Sequence, residues 1–363
     1  MKGKKRLFCA IPHAPAFDSC FPLLERLHER GVVDPVILVG PRIRKTDPRV
    51  EQAFEKKGTP FKRASLLRLE VGAVTDILRA DAVLTHSDPL AYGNGKFRPR
   101  DTAILKSRKP VVFVQHGMVQ SGLHETGTKQ LWDFHASLLL LWAPLTAPYA
   151  PYLAPRIADR IRVTGLIKAN VLEPWPLEKE LRDALGRNWQ QTVLICHNFG
   201  FEIGRYSAAM AKAAFSRWAK VAAARPNTLF LLRSHRGKAH PEVSELQFAL
   251  ADQFPNIVLS QRHYGLMRMA TIHDVLSVVD RVITHPSTVI LDALYQGLPV
   301  AIYDGVGPGL ECLPRAQTVD QILAYLDHPD PLSQAKPLFE IYGDPSRNLD
   351  IAASLVEKHL DTL

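Results

Sequence analysis

Cysteine is scarce in this chain and poorly spaced for chemistry. The four thiols, Cys9, Cys20, Cys196 and Cys312, form no CxxC pair, which excludes a recognisable zinc or redox motif. Cys9 and Cys196 lie in apolar, strand-like runs, where a small buried thiol is the ordinary outcome, and the compartment expected is the cytoplasm. Long hydrophobic runs are missing as well. No window reaches the roughly eighteen apolar residues of a membrane span; the longest, Ala136 to Leu145, contains Pro144 and reads as a buried strand. The opening MKGKKRLFCAIPHAP has too short an apolar segment for a signal peptide and reads as a first strand. Acidic residues are outnumbered, 36 against 45 basic, for a net charge of +9. Such a surface favours polyanions or an anionic membrane face. The cations are scattered and aromatics do not interleave with them, which argues against nucleic acid. A peripheral contact with anionic lipid or a lipid-linked acceptor is the partner the charge leaves open, at the inner face of the membrane.

What is present is length and alternation. The 363 residues exceed one ordinary core and suit two domains. In the first half, strands are expected at Arg6–Ile11, Pro35–Val39, Ala82–Thr85, Val111–Gln115, Ser137–Trp142 and Ile161–Thr164, with helices near Asp18–Arg30 and Thr75–Arg79. A proline-containing, charged stretch at 168–190 marks the boundary. The second half gives strands at Thr192–His197, Thr228–Arg233, Ile257–Leu259, Arg281–Thr284 and Val300–Tyr303. Its helices are expected at Tyr206–Ala224, His273–Val278, Val289–Gln296 and Arg347–Leu360. This alternation predicts an α/β fold with two parallel sheets. The expected domains are 1–175 for an acceptor, 176–345 for a nucleotide donor, and 346–363 as a helix crossing back to the first. An internal echo supports two similar halves: ADAVLTHSDPLAY at 80–92 and VDRVITHPSTVIL at 279–291 share D-x-V-[LI]-T-H.

Three stretches combine a strand end with polar residues, where open parallel sheets bind ligands. At His285-Pro286-Ser287-Thr288 a strand gives way to a helix. The first helical N–H groups and two hydroxyls suit a diphosphate; Ser287 could equally be a helix cap. Asp292 follows on that helix. At 229–242 an apolar strand ends in Arg233-Ser234-His235-Arg236 with Lys238, which suits a phosphate clamp or a solvated basic loop. At 110–122 an apolar strand ends in Gln115-His116-Gly117. There His116 suits a general base or a structural hydrogen bonder, and Gly117 admits close approach. His86 and Asp88 in the echo, and Asn198 after the first strand of the second half, are further cleft-lining candidates. The Gly-rich turn at 303–311 does not fit GxGxxG.

In order, these motifs resemble the two-domain GT-B transferases, especially the CDP-glycerol glycerophosphotransferase (teichoic acid polymerase) family and related capsule-polysaccharide enzymes. The residues concerned are Gln115-His116-Gly117, Thr164-Gly165-Leu166, Arg233-Ser234-His235-Arg236, Asp280 through Ser287-Thr288 to Asp292, and LYQGLPVAIYD. They span about residues 110 to 304. YGDPSRN at 342–348 is similar to the start of the closing helix in such enzymes. The chain departs from the family where His235-Arg236 replaces a His-Pro and His285-Pro286 an Asp-Tyr. The His-Pro pairing resembles bacterial sialyltransferases, which use CMP-linked sugars. The resemblance implies two Rossmann-like domains facing a central cleft, with no bound metal or cofactor. His116 would deprotonate the acceptor. Arg233, His235, Arg236, His285, Ser287, Thr288 and Asp292 would hold the donor, and Gln115, Gly117, His86 and Asn198 would line the acceptor side. The expected reaction moves a glycosyl or glycerol-phosphate unit from a nucleotide-activated sugar or CDP-glycerol to a saccharide or lipid-linked acceptor. Alternatives are a nucleotide-sugar 2-epimerase of the same fold and a non-catalytic binding protein.

Overall fold

The computed structural model describes residues 3–362 except 92–96, 121–122, 124–132, 146–154, 169–171, 173–178, 180–188, 198–206, 235–240, 260–269, 306, 308 and 329–331. The chain divides into two compact units, Met1–Glu173 with Phe339–Leu363, and Pro174–Leu338. Of the expected boundary stretch, most lies outside the described residues.

The first unit is built on a parallel sheet in the order β3-β2-β1-β4-β5-β6-β7. Its strands are β1 (Lys5–Ile11), β2 (Val33–Val39), β3 (Lys62–Arg63), β4 (Ala82–Thr85), β5 (Val111–Val114), β6 (Leu138–Leu141) and β7 (Ile161–Val163). The sequences VVFV and LLLL are buried at every position. Uninterrupted apolar strands of this kind belong in a sheet covered on both faces. Helices α1 (Ala14–Glu29), α2 (Pro41–Thr46), α3 (Arg49–Lys56), α4 (Ala73–Arg79) and α5 (Pro99–Ser107) make the connections, and a π-helical turn, Arg68–Gly72, leads into α4. Of these helices α1 and α4 match those expected from the sequence, while α3, whose Val50, Ala53 and Phe54 are buried on one face, was not expected. Helices α2 and α5 start at prolines, a start signal that was available in the sequence.

The second unit repeats the plan with five parallel strands, order β10-β9-β8-β11-β12. They are β8 (Gln191–His197), β9 (Thr228–Ser234), β10 (Ile257–Leu259), β11 (Arg281–Thr284) and β12 (Val300–Ile302), with helices α6 (Ala208–Ala224), α7 (Pro241–Gln253), α8 (Ile272–Leu276), α9 (Val289–Leu294) and α10 (Val319–Asp327). One apolar cluster, centred on Phe215, Trp218, Phe230 and Tyr325, fills a single face of this sheet. Helix α11 (Lys336–Tyr342) then leads the chain to α12 (Pro345–Asp361). That last helix packs on α1: Arg30 Nη2 lies 2.6 Å from an oxygen of Asp350, which Arg26 also contacts. The two guanidiniums hold the Asp350 carboxyl below its usual range.

The internal echo has a structural cause. Strand β4 lies beside β1 as β11 lies beside β8. Asp81 donates its N–H to the Arg6 carbonyl at 2.8 Å and accepts the Arg6 N–H on Oδ2 at 2.7 Å. Asp280 does the same to Thr192, at 2.8 and 2.7 Å. In both motifs the aspartate brackets the neighbouring strand, the two residues before the threonine fill the core, and the threonine hydroxyl turns back onto the loop that follows. No helix among the described residues is long and apolar enough to cross a membrane.

Candidate functional site

At the carboxyl edge of the first sheet three imidazoles converge. His13 follows β1, His86 follows β4 and His116 follows β5, and these strands are consecutive in the sheet. The His13 and His86 rings meet edge-on with centroids 4.8 Å apart, and those of His86 and His116 at 5.2 Å. The Nδ1 of His116 lies 2.9 Å from the His86 carbonyl oxygen. A carbonyl can only accept, so Nδ1 carries the proton and the neutral ring keeps its lone pair on Nε2. Burial drives the His116 pKa down to about 4, against the pull of that hydrogen bond, and the neighbouring His13 lowers it further. Burial also pushes His86 well below the ordinary imidazole value. For His13 burial is again the largest cause, followed by the Arg42 and Arg100 charges. All three rings are therefore neutral at physiological pH.

The residues around them are braces. Gln115 is 2% exposed; its amide N–H donates to the Gly117 carbonyl at 2.7 Å, and its oxygen accepts from Trp142 N–H at 2.8 Å. Gly117 thus enters the site through its backbone, closing the turn that carries His116. Gln120 accepts the His116 backbone N–H at 3.0 Å. Asp88 is fully buried and accepts from the N–H groups of Leu90, His135 and Ala136 at 2.8 to 3.0 Å, so its carboxylate fastens two loops together.

At the carboxyl edge of the second sheet the expected donor residues separate into two layers. The lower layer is interior. His285 is 1% exposed, its ring set 5.1 Å from His197 and 5.3 Å from Tyr303. Trp218 Nε1 donates to His197 Nε2 at 2.8 Å. Arg233 is 7% exposed and donates to the Ala270 carbonyl at 2.8 Å. Asp292 is likewise buried, 3.9 Å from His273 Nε2. The upper layer is the turn itself, where Ser287 and Thr288 reach solvent. Ser287 is no helix cap: the N-cap position is Thr288, which makes no side-chain cap bond. The Ser287 hydroxyl instead sits 3.3 Å from that of Thr284. Gly305, with φ +88°, lets the loop after β12 close on this turn, since a Cβ there would stand 3.0 Å from Pro286 Cδ. His235, Arg236 and Asn198 lie outside the described residues.

Three contributors escaped sequence reading. His13 stood in a short run with no motif around it. Arg217 and Tyr303 looked like ordinary helix and strand residues. Yet the Arg217 guanidinium donates to the Tyr303 hydroxyl at 2.5 Å and lies over its ring. With Asp304, Met210 and Ala214 they line a pocket of about 270 Å³. Burial pushes the Tyr303 phenol up to about 12, so it remains a neutral donor. Among the described residues, no group of three or more His, Cys, Asp or Glu is arranged to hold a metal ion.

No family model matches the chain, and no curated protein matches its sequence. Solved structures do. S. aureus MnaA, in a co-structure with UDP, is 15% identical with a TM-score of 0.61, covering 99% of this chain and 98% of that one. A glycosyltransferase from Rickettsia africae ESF-5 is 12% identical with a TM-score of 0.55, covering 98% of both chains. A variant of the wall teichoic acid polymerase TagF, soaked with CDPG, is 12% identical with a TM-score of 0.53, covering 100% of this chain and 90% of that one. Likeness at such identities establishes architecture alone, and the architecture is the GT-B fold of two Rossmann-like domains.

Proposed function

We propose that the chain is a metal-independent transferase that moves a glycosyl or glycerol-phosphate unit from a nucleotide-activated donor, a cytidine nucleotide favoured, to a saccharide or lipid-linked acceptor. The observation that carries this reading is the tautomer of His116. Its Nδ1–H is fixed on the His86 carbonyl, so Nε2 is free to accept a proton from an acceptor hydroxyl. The deprotonated oxygen bonds to the transferred centre, the bond from that centre to the donor's leaving phosphate breaks, and the nucleotide departs with the electron pair. A pKa near 4 keeps the base unprotonated. Ser287 and Thr288, with His235 and Arg236, meet the charge that develops on the leaving phosphate. Arg233, His285 and Asp292 are buried around the same sheet edge and act on the donor through the residues they pack with, and the pocket at Arg217 and Tyr303 takes the nucleoside.

The likeness to CDPG-soaked TagF supports the cytidine preference, and a like fold in solved UDP-N-acetylglucosamine 2-epimerases, at 14% and 17% identity, keeps a nucleotide-sugar epimerase as the second reading. Thermal-shift measurements with CMP, CDP, UDP and GDP separate the donors, because a bound product raises apparent stability by mass action. A response to CMP or CDP alone supports the transferase with a cytidine donor. The His116→Ala variant is expected to lose turnover and keep that thermal shift. Conversion of a UDP-sugar with no acceptor present, undiminished in His116→Ala, would sink the transferase in favour of the epimerase.

A further inference from the structure

Nine large hydrophobic side chains are exposed among the described residues, and four fall within thirteen positions: Leu66 (68%), Leu67 (71%), Val71 (52%) and Leu78 (57%). Leu66 and Leu67 immediately precede the π-helical turn, Val71 lies in it and Leu78 in α4. Along this segment Leu69, Ala73 and Ile77 point into the core of the first unit, while Leu67, Val71 and Leu78 recur on the opposite face. The solvent face of a surface helix is ordinarily polar; this one sets four large apolar side chains beside Ser65, Thr75 and Arg79. Phe97, 41% exposed, stands beside Arg98, whose guanidinium lies 3.3 Å from Glu70 in the same segment. Helix α5 packs against both α4 and the π-turn.

Charge gathers around the same patch. Residues 62–79 and 97–109 together carry nine Lys and Arg against three Asp and Glu, a surplus of six from two short stretches of a chain whose net charge is +9. Lys62, Arg63 and Arg98 are each more than 60% exposed at the side chain and lie at the surface against Asp76, Glu51 and Glu70 respectively, solvent-screened pairs that lipid phosphates can replace. A second copy of this face would bring like charge against like charge. An anionic bilayer supplies the opposite charge together with an apolar interior. Anchoring at the interface takes two signals, apolar insertion and a basic rim whose long side chains reach the headgroups. Both are present here.

We propose that the exposed face of residues 66–78, extended by Phe97, docks the first unit on an anionic phospholipid surface. Leu66, Leu67, Val71 and Phe97 enter the headgroup boundary, and Lys62, Arg63 and Arg98 pair with lipid phosphates. This docking stands apart from the transferase reading, because it is measured without donor or acceptor. The full chain is sedimented with vesicles of phosphatidylcholine alone and of phosphatidylcholine with about one third phosphatidylglycerol. Wild type is expected to pellet with the anionic vesicles only, and less so as salt is raised. Leu66→Ser, Leu67→Ser and Val71→Ser combined should weaken binding by about tenfold or more, with circular dichroism and melting unchanged because these side chains are exposed. Lys62→Gln with Arg98→Gln should weaken it several-fold, roughly as expected for two lost basic contacts. Failure of wild type to bind anionic vesicles, or wild-type binding by the triple variant, would overturn the proposal. So would a wild-type dimer in sedimentation velocity that the triple variant dissolves while vesicles are ignored; the patch would then belong to a second copy.

Discussion

Acidification should expose the state of His116 directly. The ring is expected to titrate at about 4 instead of 6.5, because the buried site penalises the imidazolium more than the His86 carbonyl rewards it. The linkage has a definite sign. As pH falls below 6.5 the unfolded chain takes up a proton at this histidine, and the folded chain does so only near pH 4. The unfolded state binds more protons throughout that window, so folding stability rises with pH across it and is lost on acidification. The gap from 6.5 to about 4 corresponds to about 3 kcal/mol for this one side chain. His86 and His13 act in the same direction. The assay is long-range proton–nitrogen correlation NMR on protein labelled at histidine nitrogens. Its expected result is a His116 ring protonated at Nδ1 with a midpoint near 4. In urea unfolding, His116→Gln should flatten the fall in stability between pH 6.5 and pH 4.5. An Nε2–H tautomer, or a midpoint at 6.5 or above, would refute both the buried neutral ring and its role as a base.

Two further outcomes concern the frame of the site. Asn348 is 5% exposed and donates its amide to the carbonyls of Leu166 at 3.0 Å and Tyr342 at 2.6 Å. Asn348→Asp should therefore cost about 3 kcal/mol or more in urea unfolding, since an acid would face two acceptors in the interior; a loss under about 0.5 kcal/mol would contradict the bonding assigned. Asp81→Ala and Asp280→Ala should each cost about 1.5 kcal/mol, the lower end for a hydrogen bond to a charged acceptor, by similar amounts because the two brackets match atom for atom. A large inequality between them would mean that the echo is coincidental.

Both sheets were legible because their strands are short, wholly apolar runs ended by polar residues. Ala82–Thr85, Ile257–Leu259 and Arg281–Thr284 were located to the residue, other strand ends moved by one or two positions, mostly at flanking polar residues, and the short polar edge strand Lys62–Arg63 was not expected. Helices α2, α3, α5, α7, α10 and α11 were not expected: α2, α3 and α11 are only six to eight residues long, and α5 and α7 have weak apolar faces; α10 has both an apolar face and the Thr318 capping box, signals that were available in the sequence. The carboxyl-edge placement of His116, His86 and Ser287 followed from strand ends alone. Depth did not: nothing in H-P-S-T tells that His285 turns inward while Ser287 turns outward. That outcome depends on Tyr303 and His197, which come from the two strands flanking β11 in the sheet. His13 was invisible for the same reason, since its partners His86 and His116 are gathered only by the sheet order.

The paired Asp brackets also bear on how this architecture arises and tolerates change. Each ties the first residues of a central strand to the strand inserted beside it, using a backbone N–H and carbonyl that any residue but proline supplies on one partner and a single carboxylate with its own N–H on the other. A duplicated half could thus diverge almost everywhere, exchanging an imidazole cluster open to chemistry for an aromatic one sealed from it, while one acidic residue per half kept both sheets in register.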